Sequence, residues 1–485
     1  MDVHIRIEGP EGLAVQIHRQ IRAAIIDGRL RAGEPIPSTR ELATRLMVSR
    51  NTVVVAYDRL AAEGFLITRQ RGRTYVLGHP GQRLPVPEMM ERAIRPRPVW
   101  EHQPEPVDMA AATPAYDFRP GLPDASRFPF ATWRALLADT FRRVSVGSGG
   151  YQDPAGHPGL RAAIARHIGV SRSIRAGPDD ILITSGSQQA VDLIARVLLE
   201  PGQVAVVENP GWPPPRALFE TSGARVVSAP VDREGLVVEA LPDRARVLYV
   251  SPSHQFPLGV PLSDRRRKAL LEWARRTDAV IIEDDYDSEF RFGGRPVDPL
   301  HSLDPSARVI YVGSFSKTLL PTLRLGFCVV PPTLYPALRR AKYVVDWHTA
   351  SPMQAALARY LDEGRFARHI RRMRRVYQAR RDRICQRLDG DLAELLEPLP
   401  SVAGLHLTAW LHATQNTAEG SGPAADQVVV ERCQRAGIGL YPVSDFGLPG
   451  TVRPGLVLGY GAVDLDRIDE GLDLLRRCLE WGGRW

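Results

Sequence analysis

SFSKTLL, residues 314–320, holds one of only three lysines in the chain; the others are Lys268 and Lys342, and the rest of the 63 basic residues are arginine. Either residue serves as a solvated positive charge. They differ as amines: a guanidinium stays protonated, whereas an ε-amine deprotonates and attacks a carbonyl. Position 317 is therefore either a surface lysine not yet exchanged for arginine or a lysine kept for its nitrogen, and its neighbours decide.

Those neighbours form a set. The run VIYVG before Ser314 reads as a buried strand, and SFSKTLLPTLRLGF after it brings Ser314, Ser316, Lys317 and Arg324 close together. Upstream, ITSGSQQAVDLIARVLLEPGQ (183–203) ends a strand at Thr184, turns at Gly186 and opens a helix with Ser187 and Gln188, an anion cradle at a helix N-terminus. IIEDDYDSEF (281–290) places acids just after a strand, at the sheet edge where α/β proteins bind ligands. Trp212, in ENPGW, offers an aromatic face. An amine, a carboxylate, phosphate donors and a ring face are together what pyridoxal phosphate needs. The acidic run also suits a metal site or a solvated loop, although no His or Cys stands nearby at ligand spacing.

From about Tyr116 onward, short apolar runs (Ile181–Thr184, Val204–Val207, Val247–Val250, Val280–Ile282, Val309–Val312) alternate with helical segments. This pattern predicts a mostly parallel sheet covered on both faces by helices. Before it, residues 79–115 contain eight prolines with few aliphatics and read as an extended linker. At 485 residues two or three domains are expected. No apolar run is long enough to span a membrane, and MDVHIRIEGPEG lacks a secretory pattern. The four cysteines are scattered and read as free thiols of a cytoplasmic protein, with no metal site.

Residues 1–78 carry 12 arginines against 8 acids, within a net charge of +8 for the whole chain. Leu13, Ile17, Ile21 and Ile25 mark an amphipathic helix. Ser38 with Glu41 forms a capping box for a second helix, to about Leu46, and Ser49 caps a third, to about Glu63. The tight turn at Met47–Val48 makes a helix-turn-helix. Strand-like Phe65–Thr68 and Thr74–Leu77 then flank an arginine-rich tip. Ser38, Thr39, Arg40, Ser49, Arg50, Asn51 and Thr52 suit the major groove, where Arg bridges guanine. Arg69, Arg71, Gly72 and Arg73 suit phosphates or the minor groove. A protein-interaction domain with a solvated basic face is the alternative.

The words GRLRAGEPIPSTRELA, VSRNTVVVAYDRLAAEGFL and RGRTYV resemble the winged helix of GntR-type bacterial regulators. YQDPAGHPGLR, SGSQQA, ENPGW, PSHQFPLG, IIEDDYDSEF and SFSKTLLPTLRLGF resemble fold type I pyridoxal-phosphate enzymes of the aspartate aminotransferase kind. In combination the chain resembles MocR-type transcriptional regulators. The resemblance implies residues 1–78 as a winged helix-turn-helix, 79–115 as linker, and 116–485 as an aminotransferase-like domain with a smaller C-terminal α/β subdomain. It implies Lys317 as the Schiff-base lysine, Asp284 at the pyridine nitrogen and Tyr286 at the phenolic oxygen. Gly186, Ser187, Gln188, Ser314, Ser316 and Arg324 are implied at the phosphate, Trp212 on the ring where the family usually has Tyr, and Tyr151 reaching a neighbouring subunit's phosphate. It further implies double-stranded promoter DNA, an amino-compound effector or pyridoxal phosphate itself, and a head-to-tail homodimer as partners.

Two departures from aminotransferases stand out. His254, Gln255 and Phe256 occupy the stretch where those enzymes carry an Asn, and Arg453 is the one candidate for the arginine that grips substrate carboxylates. In members that sense γ-aminobutyrate an arginine stands two residues after the aromatic; here it is Pro214, with Arg216 as a possible replacement. The expected function is thus a regulator rather than an enzyme, with weak transamination possible. An aminotransferase with an accessory DNA-binding domain and a purely dimerising scaffold are the alternatives.

Overall fold

The computed structural model describes residues 5, 7, 12–69, 73–77, 95–103, 113–142, 149–293, 297–412 and 425–480. The chain divides into two compact units, Met1–Pro96 and Arg97–Trp485.

In the first unit, helix α1 (Leu13–Ile26) buries Ile17, Ile21, Ala24 and Ile25, while Leu13, expected on the same stripe, is exposed in the first turn. Helix α2 (Thr39–Leu46) starts at Ser38, whose Oγ accepts from Glu41 N at 3.2 Å. The expected capping box is half realised: the Glu41 carboxylate instead accepts from Arg45 Nη2 at 2.9 Å, the i,i+4 pairing favoured on an exposed helix face. Met47 takes a left-handed conformation (φ 52°) and turns the chain into helix α3 (Arg50–Ala62), capped by Ser49 Oγ on Thr52 N at 3.1 Å. Strands β1 (Leu66–Arg69) and β2 (Arg73–Val76) pair antiparallel, Leu66 opposite Val76. Ile17, Ile21, Leu42, Val53, Leu60, Leu66 and Val76 close one core. Each such side chain contributes about 1.5–3 kcal/mol by leaving water.

The second unit centres on an eight-stranded sheet of β3 (Ile181–Thr184), β4 (Val204–Asn209), β5 (Arg225–Asp232), β6 (Gly235–Leu236), β7 (Val247–Val250), β8 (Val280–Asp285), β9 (Val309–Ser314) and β10 (Gly326–Val329). Their spatial order is β3-β10-β9-β8-β7-β4-β5-β6. Neighbours from β9 to β5 run parallel; β10 is antiparallel to β9 and β3, and β6 to β5. Every residue of β3, β7 and β8 is buried, as a sheet covered on both faces requires. A second, antiparallel sheet of β11 (Leu396–Pro398), β12 (His406–Leu411), β13 (Tyr441–Pro442) and β14 (Gly455–Gly459) is ordered β11-β12-β14-β13.

Part of the segment read as extended linker is ordered. Pro98–His102 form a 3₁₀ helix, and Arg97 Nη2 donates to Thr221 O at 2.9 Å, which fixes this stretch to the second unit. Among the described residues no helix is long and apolar enough to cross a membrane.

Candidate functional site

The C-terminal ends of β3, β8 and β9 meet at one edge of the large sheet. Lys317 follows β9 and is half-buried; its Nζ donates to Gly121 O at 2.8 Å. Gly121 has φ +78°, and a Cβ there would lie 2.8 Å from the amine, so a side chain would occupy the space the lysine uses. Burial lowers the Lys317 pKa; Asp287 and Asp284 oppose that, and Arg324 adds to it. The result is an amine that reaches its neutral, nucleophilic form more readily than a solvated lysine.

The acidic run resolves into four distinct environments. Side chains alternate along β8, so Glu283 and Asp285 face one side and Asp284 the other. Glu283 accepts from the backbone amides of Leu300 and His301, both at 2.8 Å. Asp285 pairs with Arg172 at 2.5 Å and accepts from Tyr311 Oη at 2.7 Å. Asp287 lies 3.1 Å from His254 Nδ1. Asp284 accepts from Tyr249 Oη at 2.5 Å through Oδ2, but its buried Oδ1 has no partner among the described residues. Burial, with Asp285 and Asp287 adding to it, pushes the Asp284 pKa up to about 7, against the pull of Tyr249 and Lys317. An orphaned buried carboxylate oxygen is costly unless a donor fills it.

Between β3 and helix α4 (Ser187–Leu198) lies the third element. Gly186, at φ +86°, heads α4 with no side-chain cap, so the first-turn amides of Ser187 and Gln188 are open. A Cβ on Gly186 would come within 2.9 Å of Arg324 Nη2, and one on Gly326 within 2.8 Å of the Gly186 carbonyl carbon. Only glycines allow this approach. Arg324, itself left-handed at φ +51°, donates to Ser185 O at 2.7 Å, and Ser314 Oγ accepts from Ser316 N at 3.1 Å. Uncapped amides, a guanidinium and two serine hydroxyls make a cradle suited to a phosphate.

Tyr286 Oη donates to His254 O at 2.9 Å. Trp212 stands half exposed at the N-cap of the helix Pro213–Thr221, edge-on to Phe256 at 5.4 Å. Phe256 in turn packs edge-on against Tyr286 and His406. Tyr151 is 74% exposed and stacks on Trp347 with ring centroids 4.1 Å apart.

Sequence reasoning missed Lys342. In helix α5 (Tyr335–Asp346) it is fully buried, with Nζ 2.7 Å from both Asp346 oxygens, 2.8 Å from Gln189 Oε1 and 3.0 Å from Thr349 Oγ1. Gln189 Oε1 also accepts from Ser185 N at 2.8 Å. Lys342 thus braces the strand-to-helix turn of the cradle from beneath. Its signal was the scarcity of lysine: two of the three, half-buried Lys317 and fully buried Lys342, stand at this site, and exposed Lys268 is the ordinary solvated cation. The two candidate carboxylate grips are engaged elsewhere. Arg453 pairs with Glu397 at 2.7 Å and lies over Trp410. In the β12–β14 ladder that is the Trp410–Gly455 end, whereas His406, opposite Gly459, packs on His254; four residues of strand, about 14 Å, separate them. Arg216 is held by Glu220 and Ser228.

On the first unit, Arg40, Arg50 and Asn51 are exposed at the starts of α2 and α3. The hydroxyls of Ser38 and Ser49 serve as helix caps, and Ser49 Oγ also meets Thr52 Oγ1 at 2.7 Å. Thr39 is half-buried in the first turn of α2, and Arg73 is exposed at the start of β2. Arg69 ends β1 opposite Arg73; Arg71 and Gly72 lie outside the described residues.

A family model described as "Aminotransferase class I and II" matches residues 123–455, and one described as "Bacterial regulatory proteins, gntR family" matches residues 13–76. The chain is 36% identical to the probable rhizopine catabolism regulatory protein MocR of Rhizobium meliloti, over 96% of this chain and 93% of that one. It is 32% identical to the HTH-type pyridoxine biosynthesis transcriptional regulator PdxR of Corynebacterium glutamicum, over 95% and 94%. Among solved structures it resembles a kynurenine aminotransferase of Pyrococcus horikoshii in complex with PMP, with a TM-score of 0.71 and 29% identity over 81% of this chain and 98% of that one. With this fold and these relatives, the chain belongs to the MocR-type regulators, in which a GntR-type winged helix is joined to a fold type I aminotransferase-like domain.

Proposed function

We propose that this protein is a transcriptional regulator that binds promoter DNA through residues 1–78 and holds pyridoxal phosphate in residues 116–485, residues 79–115 joining the two. Its signal is a small amino compound or pyridoxal phosphate itself. The observation that carries the reading is Asp284 Oδ1, a buried acceptor without a donor among the described residues, near the half-buried amine of Lys317, in a chain that carries a winged helix. The names of two relatives, one for rhizopine catabolism and one for pyridoxine biosynthesis, support such signals.

When bound, the cofactor supplies an aldehyde and an electron-drawing pyridinium ring. Lys317 provides the amine. Asp284 holds a proton at the ring nitrogen, Tyr286 donates to the phenolic oxygen, and Trp212 covers a ring face. Gly186, Ser187, Gln188, Ser314, Ser316 and Arg324 bind the phosphate. Tyr151 and the neighbouring exposed Tyr343, Val344 and Trp347 form an aromatic and aliphatic surface on which a second copy packs, so that Tyr151 reaches the partner site in a head-to-tail homodimer. The replacement of the usual Asn by the His254 stretch, and the engagement of Arg453 by Glu397, support sensing over efficient turnover.

Because the neutral amine is the reactive form and burial lowers its pKa, loading should respond to pH below the ordinary lysine value of 10.5. The rate at which added pyridoxal phosphate develops visible absorbance is expected to rise with pH and level off before that value. A rise centred on an ordinary lysine pKa contradicts the environment described for Lys317.

The function is tested with full-length protein on genomic fragments, with and without pyridoxal phosphate and a panel of amines. Selective retention of promoter fragments, changed by one of these ligands, is expected, and the fragment must change that ligand's affinity by the same factor. Retention of no fragment above background removes the reading. Arg50→Ala on the retained fragment should cost about 1–3 kcal/mol and relax preference at one base pair. An unchanged ratio of promoter to random-DNA affinity shows that Arg50 reads no base.

A further inference from the structure

Helix α6 (Arg365–Asp389) carries ten arginines, and its two halves treat them differently. In the C-terminal half they are matched: Arg380 with Asp124 at 2.6 Å, Arg383 with Asp469 at 2.8 Å, and Arg387 with Asp391 at 2.7 Å and Asp473 at 2.6 Å. At the start, Arg365 pairs with Glu363 at 2.5 Å. Between them Arg368, Arg371, Arg372, Arg374 and Arg375 are all exposed, and among the described residues none has a carboxylate partner. Arg368 donates to Glu363 O at 3.3 Å, Arg372 to Arg127 O at 2.6 Å and Arg375 to Arg371 O at 3.5 Å, and Arg372 Nη2 also lies 3.3 Å from His369 Nδ1.

At 100° per residue these five cover the arc opposite the buried Phe366, His369, Met373 and Tyr377. Positions 368/371, 368/372, 371/374, 371/375 and 372/375 set like charges three or four apart, each of which weakens a helix. Arg365 and Arg368 also lie near the positive end of the helix dipole. The helix itself gains nothing from these like-charge pairs, and an external anion would offset their repulsion. The arc holds no large apolar side chain to enter a bilayer; between the arginines and beyond them stand Ala367, Gln378 and Ala379. Duplex DNA, with one charge per about 1.7 Å of axis, matches a strip that extends about 10 Å along the helix, and the same chain carries a DNA-binding domain.

We propose that the outer face of α6, through Arg368, Arg371, Arg372, Arg374 and Arg375, is a second DNA-contact surface on the aminotransferase-like unit, which grips phosphates without reading sequence. The proposal rests on the chain being a DNA binder but extends that role to a surface outside the winged helix.

The test uses full-length protein carrying Arg371→Gln, Arg374→Gln and Arg375→Gln together, which spares the two arginines that hold backbone carbonyls of other segments. A control triple, Arg225→Gln, Arg244→Gln and Arg276→Gln, removes the same charge from exposed sites elsewhere. Circular dichroism and the melting temperature establish that each is folded. Binding to an 80-base-pair random-sequence duplex is then measured against salt concentration. Three lost phosphate contacts should flatten the log K against log salt slope by roughly 2 to 3, with the control changing it by less than about 1. Equal slopes in wild type and the α6 triple overturn the proposal, as does an equal loss in the control, which reports net charge only. Loss of binding to phosphatidylglycerol vesicles, or of dimers in sedimentation, with the DNA slope intact reassigns the face to a membrane or to a second copy. If the wild-type chain binds no duplex, this proposal and the regulatory reading fall together; a wild type that binds with an unchanged α6 triple removes this one alone.

Discussion

The Lys317→Arg protein is expected to show no visible absorbance after incubation with pyridoxal phosphate, and borohydride should fix no cofactor to it. A guanidinium stays protonated throughout the accessible pH range and does not condense with an aldehyde. Its charge alone is therefore no substitute. The pocket sharpens the effect, because Nζ sits against Gly121, where even an added methyl would come within 2.8 Å. Lys268→Arg is the matched control: that lysine is exposed, and its replacement should leave the spectrum as it was. A Lys317→Arg protein that keeps the visible band, with borohydride still labelling it, transfers the role to another residue. Labelling at Lys342 in that case identifies the replacement.

The second large effect is expected at Asp284. A charge-assisted hydrogen bond contributes about 1.5–3 kcal/mol, so Asp284→Asn, which keeps an acceptor for Tyr249 but loses the charge, should weaken pyridoxal phosphate binding by roughly 10- to 150-fold. Asp284→Ala should also lower the melting temperature, because the buried Tyr249 hydroxyl then loses its partner. Glu283→Gln and Asp285→Asn should affect stability and leave the cofactor spectrum in place. Their oxygens serve the amides of Leu300 and His301 and the guanidinium of Arg172. Equilibrium dialysis and the visible spectrum check all four. Unchanged affinity and spectrum in Asp284→Asn remove the carboxylate from the ring nitrogen.

Much of this architecture is legible along the chain. Five apolar runs coincide with buried strands, and two of them, Ile181–Thr184 and Val247–Val250, match to the residue. Ser38 and Ser49 cap the helices they were expected to cap. These features are local: a strand buried on both faces must be continuously apolar, and a helix start needs an acceptor within three residues. The family's words, from SGSQQA to SFSKTLLPTLRLGF, are likewise contiguous, so a single chain displays them.

Other features required three dimensions. Four acids lie within residues 283–287, and linear reading gives each the same chemistry. Among the described residues, strand alternation and the partners supplied by residues 172, 254 and 300–301 leave a buried oxygen of Asp284 without a donor. Arg453 looked available because its Glu397 partner is 56 positions away. Lys342 carried no role along the chain; its burial comes from Asp346 on its own helix and from Gln189 and Thr349 beyond it. The five bare arginines of α6 are set apart from its paired ones only by which aspartates the fold brings near, such as Asp469 and Asp473 from the C-terminal helix. The sequence by itself determined the strands, the caps, the two-unit order and the family. Tertiary structure alone decided which charged groups are satisfied, because a hydrogen bond or ion pair depends on distance in space, and its partner can stand hundreds of residues away.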